Sequence, residues 1–132
     1  MTKPVKIFMA EDDPEDAEVF QSLVEENSPG TKVIVATDGA ILIELLHESA
    51  VPDLIVLDIN MPRKSGKQCL QEIRNLALYN KVPIIIFSTS KNIKDKEFCL
   101  GNGASKFYTK PFHFLDLRAM VIEILHTYLR IK

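Results

Sequence analysis

Residues 54–57 form a short, wholly apolar run with an aspartate on either side, Asp53 and Asp58. An apolar run without polar alternation is typical of a parallel strand that is covered on both faces. A charged side chain directly after such a run cannot fill the core, so Asp58 is expected where the strand leaves the sheet. In open parallel sheets, ligands bind in the crevice beyond these carboxyl ends. A strand-end aspartate can equally be a helix cap, so the rest of the chain decides between the two interpretations.

Four further strand-length segments, 5–10, 32–36, 84–87 and 106–109, alternate with helical patterns. Five strands alternating with five helices predict an α/β fold, a flavodoxin-like (βα)5 doubly wound parallel sheet. With right-handed crossovers, the simplest strand order is 2-1-3-4-5. Strands one and three are then neighbours, and the residues that follow them lie at one edge of the sheet.

The start of the first helix and the apolar faces of two others can be predicted from the sequence. Asp13 before Pro14 is a typical N-cap followed by proline at the first helical position. The third helix is predicted to carry apolar contacts as far as Ala77. The last helix has the clearest apolar period of the chain. Its predicted stripe is Phe114, Leu117, Val121, Ile124, Leu125 and Tyr128.

Polar residues follow four of the five predicted strands. Acidic residues in a first helical turn complement the helix dipole, which explains one or two of the acids between Glu11 and Asp16. Asp12 and Asp13 together, without an adjacent Lys or Arg, instead favour a divalent cation. The strand order predicts that they converge with Asp58. The residues expected to flank them are Ser88 and Lys110.

Length and composition narrow the class of protein. The chain has 132 residues and a formal net charge of −2, which favours one domain and gives no reason to expect nucleic-acid binding. Cys69 and Cys99 lack metal-ligand spacing and are expected to be reduced and buried. No apolar stretch has the length of a membrane span and no signal peptide is evident, so we expect a cytoplasmic protein without a membrane partner. The last helical pattern runs almost to Lys132, which predicts a single domain over residues 1–132 without an output domain.

These motifs resemble the receiver domain of two-component response regulators, of the single-domain chemotaxis-regulator type. The resemblance covers residues 5–128 and rests on four strand-end signals in order. They are Glu11-Asp12-Asp13, Asp58-Ile59-Asn60-Met61-Pro62, Ser88, and Phe107 with Lys110-Pro111.

The resemblance implies a role for each residue of the site. Asp58 would be the phosphoacceptor, and Lys110 and the Ser88 hydroxyl would bind phosphoryl oxygens. Mg²⁺ would be held by the carboxylates of Asp13 and Asp58 and by the backbone carbonyl of Asn60, with Asp12 acting mostly through a metal-bound water. Such a protein is a phosphoacceptor in signalling, and catalyses only its own phosphorylation and dephosphorylation.

The resemblance also implies partners and an output. The phosphoryl donor would be a sensor histidine kinase or a histidine phosphotransfer protein, docking on the first helix and the loop at Pro111-Phe112. Phosphorylation would draw in the Ser88 loop and move Phe107, where the family commonly has tyrosine. The altered face, made by helix four, strand five and helix five, would bind a downstream target protein or form a homodimer. Alternatively, the domain would pass its phosphoryl group on to a histidine phosphotransfer protein, and the sequence does not separate these two outputs.

Other functions on the same fold make different demands. A flavodoxin-like FMN-binding electron carrier would place phosphate at the first strand–helix turn, where Glu11-Asp12-Asp13 would repel it. A phosphoaspartyl hydrolase usually has a second acid two residues beyond its nucleophile, and here that residue is Asn60. A degenerate receiver that only binds partners would not need the full set of acids, hydroxyl and lysine.

Overall fold

Five strands alternate with five α-helices in the computed structural model, which describes residues 4–131. The strands are β1 (Val5–Ala10), β2 (Thr31–Ala36), β3 (Leu54–Leu57), β4 (Ile84–Ser88) and β5 (Lys106–Thr109). The helices are α1 (Pro14–Asn27), α2 (Gly39–Glu48), α3 (Gly66–Arg74), α4 (Ile93–Gly101) and α5 (Phe114–Leu129). Within residues 4–131, none of the helices has both the length and the apolar character needed to cross a membrane.

All four strand pairings are parallel, and the sheet order is β2-β1-β3-β4-β5. The predicted flavodoxin-like fold and strand order are therefore confirmed. In register, Ala10 pairs with Leu57, and Leu57 pairs with Ile86. Ser88 pairs with Thr109 at the far side. The residues that follow β1, β3, β4 and β5 are thus delivered to the same edge of the sheet.

The unbroken apolar sequence of β3 is explained by two core layers. Ile55 and Leu57 face a core shared with α2, α3 and α4, whereas Leu54 and Val56 face a core shared with α1 and α5. All four side chains are fully buried. Burying each one contributes roughly 1.5–3 kcal/mol, so both faces must be apolar. Cys69 and Cys99 are buried free thiols in the first of these cores.

The third helix is shorter than predicted. It ends at Arg74, and Ala77 belongs to a 3₁₀ turn, Ala77–Tyr79, with its side chain exposed. Two hydrogen bonds stabilise the turn. The Tyr79 hydroxyl donates to the Leu46 carbonyl at 3.0 Å, and Nη1 of Arg74, the last residue of α3, donates to the Tyr79 carbonyl at 2.7 Å. The buried side chain of this turn is Tyr79, whereas the prediction expected Ala77 to pack into the core.

The predicted stripe of the last helix is buried along most of its length but not at its start. Val121, Ile124 and Leu125 lie in the core, and the structure packs Leu117 and Tyr128 against its edge. Phe114, in contrast, is 57% exposed and lies beside α1. The first turn of α5 therefore presents an aromatic side chain to solvent.

Gly66 lies where α3 begins, directly against the end of β3. Its backbone N–H donates to the Ile59 carbonyl at 2.8 Å. A Cβ atom at this position would come within 2.0 Å of the Asp58 carbonyl oxygen. Because that distance is far inside van der Waals contact, any side chain here must move the backbone that carries Asp58.

We predict that Gly66→Ala lowers the free energy of unfolding by about 1–3 kcal/mol, the usual cost of overpacking a tight site. The matched control is Gly101→Ala, at the end of α4, where no atom lies within 4 Å of the added methyl group. This control should leave the stability unchanged or raise it slightly, because alanine favours the helix. Urea unfolding with a constant m value measures both. Equal stability of the two variants would contradict the close approach described here.

Candidate functional site

Asp58 is the first residue beyond β3 and is buried. Its backbone N–H donates to the Ala10 carbonyl at 3.0 Å, which extends the hydrogen bonding between β3 and β1 by one residue. The carboxylate oxygen Oδ1 lies 3.4 Å from the backbone nitrogen of Asn60. The carboxylate is therefore held by the end of the sheet and does not belong to a flexible loop.

Two further carboxylates approach Asp58 from the end of β1. Glu11 is buried, and its backbone N–H donates to the Ala36 carbonyl of β2 at 3.0 Å. Asp12 is exposed. One carboxylate oxygen from each of Glu11, Asp12 and Asp58 lies within 4.8 Å of the other two. Among the described residues, this is the acidic group that has the geometry to hold a metal ion.

Asp13 is not part of this group, which differs from the prediction. Its Oδ1 accepts hydrogen bonds from the backbone N–H groups of Glu15 at 2.9 Å and Asp16 at 3.3 Å, so its carboxylate caps α1. The N-cap prediction for Asp13 is confirmed, and the acidic pair beside Asp58 is Glu11 and Asp12, one residue earlier than expected. The signal in the sequence was the Asp13-Pro14 pair, because it marks Asp13 as the cap of α1.

Lys110 follows β5 and reaches into the acidic group. Its side chain is only 9% exposed. The ammonium nitrogen Nζ lies 2.5 Å from Glu11 Oε1 and 3.5 Å from Asp58 Oδ2. A third carboxylate, Asp16 of α1, lies 2.9 Å away and accepts a hydrogen bond from it. Sequence reasoning did not include Glu11 or Asp16 among the site residues.

The charges of this group shift one another's pKa. Burial raises the pKa of Glu11 to about 7; the close contact with the Lys110 ammonium opposes this, and the nearby charge of Asp58 adds to it. Burial alone would lower the pKa of Lys110. The hydrogen bond to Asp16, the close contact with Glu11 and the charge of Asp58 outweigh burial and raise that pKa above its ordinary value. The ammonium group is therefore firmly protonated at neutral pH.

The other predicted site residues lie at or near the same edge. Ser88 ends β4 and is fully buried, and its Oγ accepts a hydrogen bond from the backbone N–H of Ser90 at 3.3 Å. The Ser88 carbonyl also accepts a hydrogen bond from the backbone N–H of Lys110 at 2.7 Å. Asn60 is exposed beyond Asp58, and Phe107 is half-buried on the α2–α3–α4 side of the sheet.

The acidic group fits a small hard cation. Glu11, Asp12 and Asp58 supply oxygen ligands of the kind that Mg²⁺ prefers. Glu11 Oε1 is a buried oxygen that contacts the Lys110 ammonium but has no aligned hydrogen bond. Within residues 4–131, no basic side chain other than Lys110 forms an ion pair with these three carboxylates. One ammonium group leaves them with excess negative charge, which a divalent cation would neutralise.

A protein-family model described as the response regulator receiver domain matches residues 7–122, most of the chain. The chain belongs to this family. As a receiver domain, it is a signalling domain of two-component systems. Receiver domains interact with histidine kinases or phosphotransfer proteins and bind Mg²⁺ at an acidic pocket. Neither the flavodoxin-like electron carrier nor the phosphoaspartyl hydrolase is favoured by these findings.

Individual relatives match this receiver domain over most of its length. It is 36% identical over 115 residues to the Regulator of RpoS of Escherichia coli (strain K12), a match that covers 85% of this chain and 33% of that protein. It is 27% identical over 124 residues to the response regulator Rcp1 of Synechocystis sp., covering 89% of this chain and 84% of Rcp1. The chain spans a third to a half of several of the curated relatives that it matches.

Solved structures are similar over almost the whole chain. The phosphorylated cyanobacterial phytochrome response regulator RcpA superimposes with a TM-score of 0.91 at 27% identity, covering 96% of this chain and 95% of that one. The Mn²⁺-bound form of Rcp1 gives a TM-score of 0.88 at 27% identity, with the same two coverages. The receiver fold of this chain thus resembles both a phosphorylated and a metal-bound relative.

We predict that Asp12→Ala and Asp13→Ala separate metal binding from helix capping. Asp12→Ala should weaken Mg²⁺ binding by more than about tenfold, since even groups outside the ligand set are commonly worth that much. Asp13→Ala should keep Mg²⁺ affinity close to that of the wild type and lower the free energy of unfolding by about 0.5–2 kcal/mol, through loss of the cap. Calorimetric Mg²⁺ titration and urea unfolding measure the two effects. A large loss of affinity in Asp13→Ala alone would restore the original assignment.

Proposed function

We propose that Asp58 accepts a phosphoryl group and that this receiver domain signals through the resulting aspartyl-phosphate. The observation that supports this most directly is the position of the Asp58 carboxylate. It is buried at the sheet end among acidic side chains, yet the ammonium group of Lys110 stands 3.5 Å away. A buried carboxylate in that setting is costly for stability alone, and a role as nucleophile accounts for it.

The proposed transfer is a single displacement at phosphorus. A carboxylate oxygen of Asp58 forms a bond to the phosphorus atom of the donor. The bond between phosphorus and the leaving atom breaks, and the leaving atom keeps the electron pair. That atom is an imidazole nitrogen for a phosphohistidine donor and a carboxylate oxygen for acetyl phosphate. The product on the protein is an aspartyl-phosphate, and no oxidation or reduction takes place.

The residues around Asp58 have separate roles in this proposal. Lys110 pairs with a phosphoryl oxygen and stabilises its negative charge, and the Ser88 hydroxyl donates to another oxygen. The carboxylates of Glu11, Asp12 and Asp58 and the backbone carbonyl of Asn60 would hold Mg²⁺. When bound, the ion supplies positive charge that offsets repulsion between the carboxylates and the anionic donor.

The proposed output is a movement of the Ser88 loop. Ser88 Oγ now accepts the backbone N–H of Ser90, and Ser90 Oγ donates to Asp95 of α4 at 2.6 Å. When the Ser88 hydroxyl turns to a phosphoryl oxygen, the first of these bonds is lost and the loop shifts toward Asp58. Phe107 then moves by apolar packing alone, since it has no hydroxyl group. The face made by α4, β5 and α5 changes and binds a downstream target or a second copy.

The proposed donor is a histidine kinase or a histidine phosphotransfer protein that docks beside the site. A groove between α1 and α5 is lined by Val19, Leu23 and Phe114, and Phe112, two residues before Phe114 in the chain, is 88% exposed. Exposed aromatic side chains beside an apolar groove are typical of protein contacts.

Phe112→Ala should slow phosphoryl transfer from a phosphorylated histidine protein and leave the rate with acetyl phosphate unchanged. Equal slowing with both donors would argue against docking there.

Incubation with acetyl phosphate and Mg²⁺ tests the proposed function. We expect one phosphoryl group to be added in intact-mass spectrometry, removed again by mild base, and absent with EDTA or in Asp58→Asn. In the same sample, the ring resonances of Phe107 should shift in NMR spectra only when the phosphoryl group is present.

Asp58→Asn keeps the shape of the side chain and removes the nucleophile, so it is the matched control. Addition that persists in Asp58→Asn would show that another residue is the nucleophile. No addition to the folded, Mg²⁺-bound wild type would contradict the proposal.

A further inference from the structure

Asp16 makes a contact that its place in α1 does not require. It lies in the first turn of the helix, where acidic residues complement the helix dipole. Its carboxylate nevertheless accepts a hydrogen bond at 2.9 Å from Lys110, 94 residues later in the chain. Glu15, in the same turn, is exposed and supplies the same dipole complement. The contact between Asp16 and Lys110 is therefore a separate feature that links α1 to the phosphorylation site.

The three carboxylates around Lys110 are not at equal distances. Glu11 and Asp16 lie 2.5 Å and 2.9 Å from the ammonium nitrogen, whereas Asp58 Oδ2 lies 3.5 Å away. Hydrogen bonds between nitrogen and oxygen span about 2.7–3.2 Å. Lys110 is therefore held against Glu11 and Asp16 and stops short of hydrogen bonding with Asp58.

This spacing matters for an incoming phosphoryl group. A direct hydrogen bond between Lys110 and Asp58 would occupy the nucleophile and would have to break before phosphorus could approach. An ammonium group that stands slightly back keeps Asp58 free and leaves room for a phosphoryl oxygen between the two. Opposite charges attract at this range, so something must hold the lysine back. Glu11 and Asp16 are the two carboxylates placed to do so.

We propose that Asp16 is a positioning residue for Lys110: it draws the ammonium group toward α1 and keeps it from pairing directly with Asp58. This inference rests on the proposed function, because it assigns to Asp16 the task of keeping the Asp58 nucleophile available. Of the two carboxylates that hold Lys110, Asp16 is the better one to test, because its side chain is 40% exposed and can be changed without opening the core.

The test compares three variants, Asp16→Asn, Asp16→Glu and Glu15→Gln. The first removes the charge that holds Lys110, the second keeps a negative charge, and the third removes an equal charge from the same turn without touching Lys110. The rate of phosphorylation by acetyl phosphate is measured with saturating Mg²⁺. We expect Asp16→Asn to be slower by about tenfold, since small displacements of a reacting group have effects of at least that size. Asp16→Glu should recover part of the rate, and Glu15→Gln should match the wild type.

A second measurement records the NMR signals of Asp58 and Lys110 in the absence of phosphodonor and Mg²⁺. In NMR spectra, the carboxyl carbon of Asp58 should shift in Asp16→Asn because Lys110 moves into direct contact with it. The ammonium signal of Lys110, which is shielded from solvent in the wild type, should shift in the same variant. Glu15→Gln should leave both signals in place. A purely structural role for Asp16 would slow the reaction without moving the Asp58 signal.

The outcomes separate this inference from the proposed function. If the wild type gains no phosphoryl group, both fail together. If it gains one at Asp58 and Asp16→Asn reacts as fast as Glu15→Gln, or faster than the wild type, the positioning role alone is wrong. A slower Asp16→Asn with unchanged Asp58 and Lys110 signals would also overturn it. Slower reaction together with both shifted signals is the result that the inference requires.

Discussion

The contact of the Lys110 ammonium group with several carboxylates is the interaction on which the proposed phosphorylation site depends. Glu11 and Asp58 are both buried at the sheet end, and each would be costly there as an unpaired charge. One ammonium group, held at 2.5–3.5 Å from three carboxylates, lowers that cost without removing it. The negative charge that remains is what a divalent cation would neutralise. Stability and proposed function therefore place opposite demands on the same few side chains.

The sheet supplies the rigidity that this arrangement needs. The backbone N–H groups of Glu11 and Asp58 continue the hydrogen bonding of the sheet beyond β1 and β3. The N–H of Lys110, beyond β5, donates to the carbonyl of Ser88 at the end of β4. Gly66 packs against the carbonyl oxygen of Asp58, where no side chain would fit. Asp58 and Lys110 thus follow β3 and β5, the strands on either side of β4, while the Ser88–Ser90 loop is tied to α4 by the hydrogen bond from Ser90 to Asp95.

Much of this could be predicted from the sequence, because the deciding signals are local. The unbroken apolar run of β3 indicates a strand buried on both faces, and the polar residues after β3, β4 and β5 mark one sheet edge. The errors arose where a contact is long-range. The third helix ends earlier than predicted, and the 3₁₀ turn after it is tied by Tyr79 to the Leu46 carbonyl, a contact between distant parts of the chain. The contact of Asp16 with Lys110 could not be predicted from the local sequence, since the two residues are 94 positions apart.

The placement of the acidic pair shows a different kind of error. Asp13 could be predicted as the N-cap of α1 and was also assigned to the metal site. In the structure its Oδ1 accepts the hydrogen bonds of the first helical turn, and it is not among the three carboxylates that lie together. Glu11 was then available for the site, because it directly follows the last residue of β1. A residue's best local role should be settled before it is given a second, distant one.

Chemical location of the phosphoryl group decides whether Asp58 is the nucleophile. Borohydride reduces an aspartyl-phosphate to homoserine, so peptide mass spectrometry after phosphorylation and reduction identifies the residue that carried it. We expect homoserine at position 58 and unmodified aspartate at positions 12 and 13. Homoserine at either of those positions, or a phosphoryl group that survives on a histidine, would contradict the assignment of Asp58 as the nucleophile.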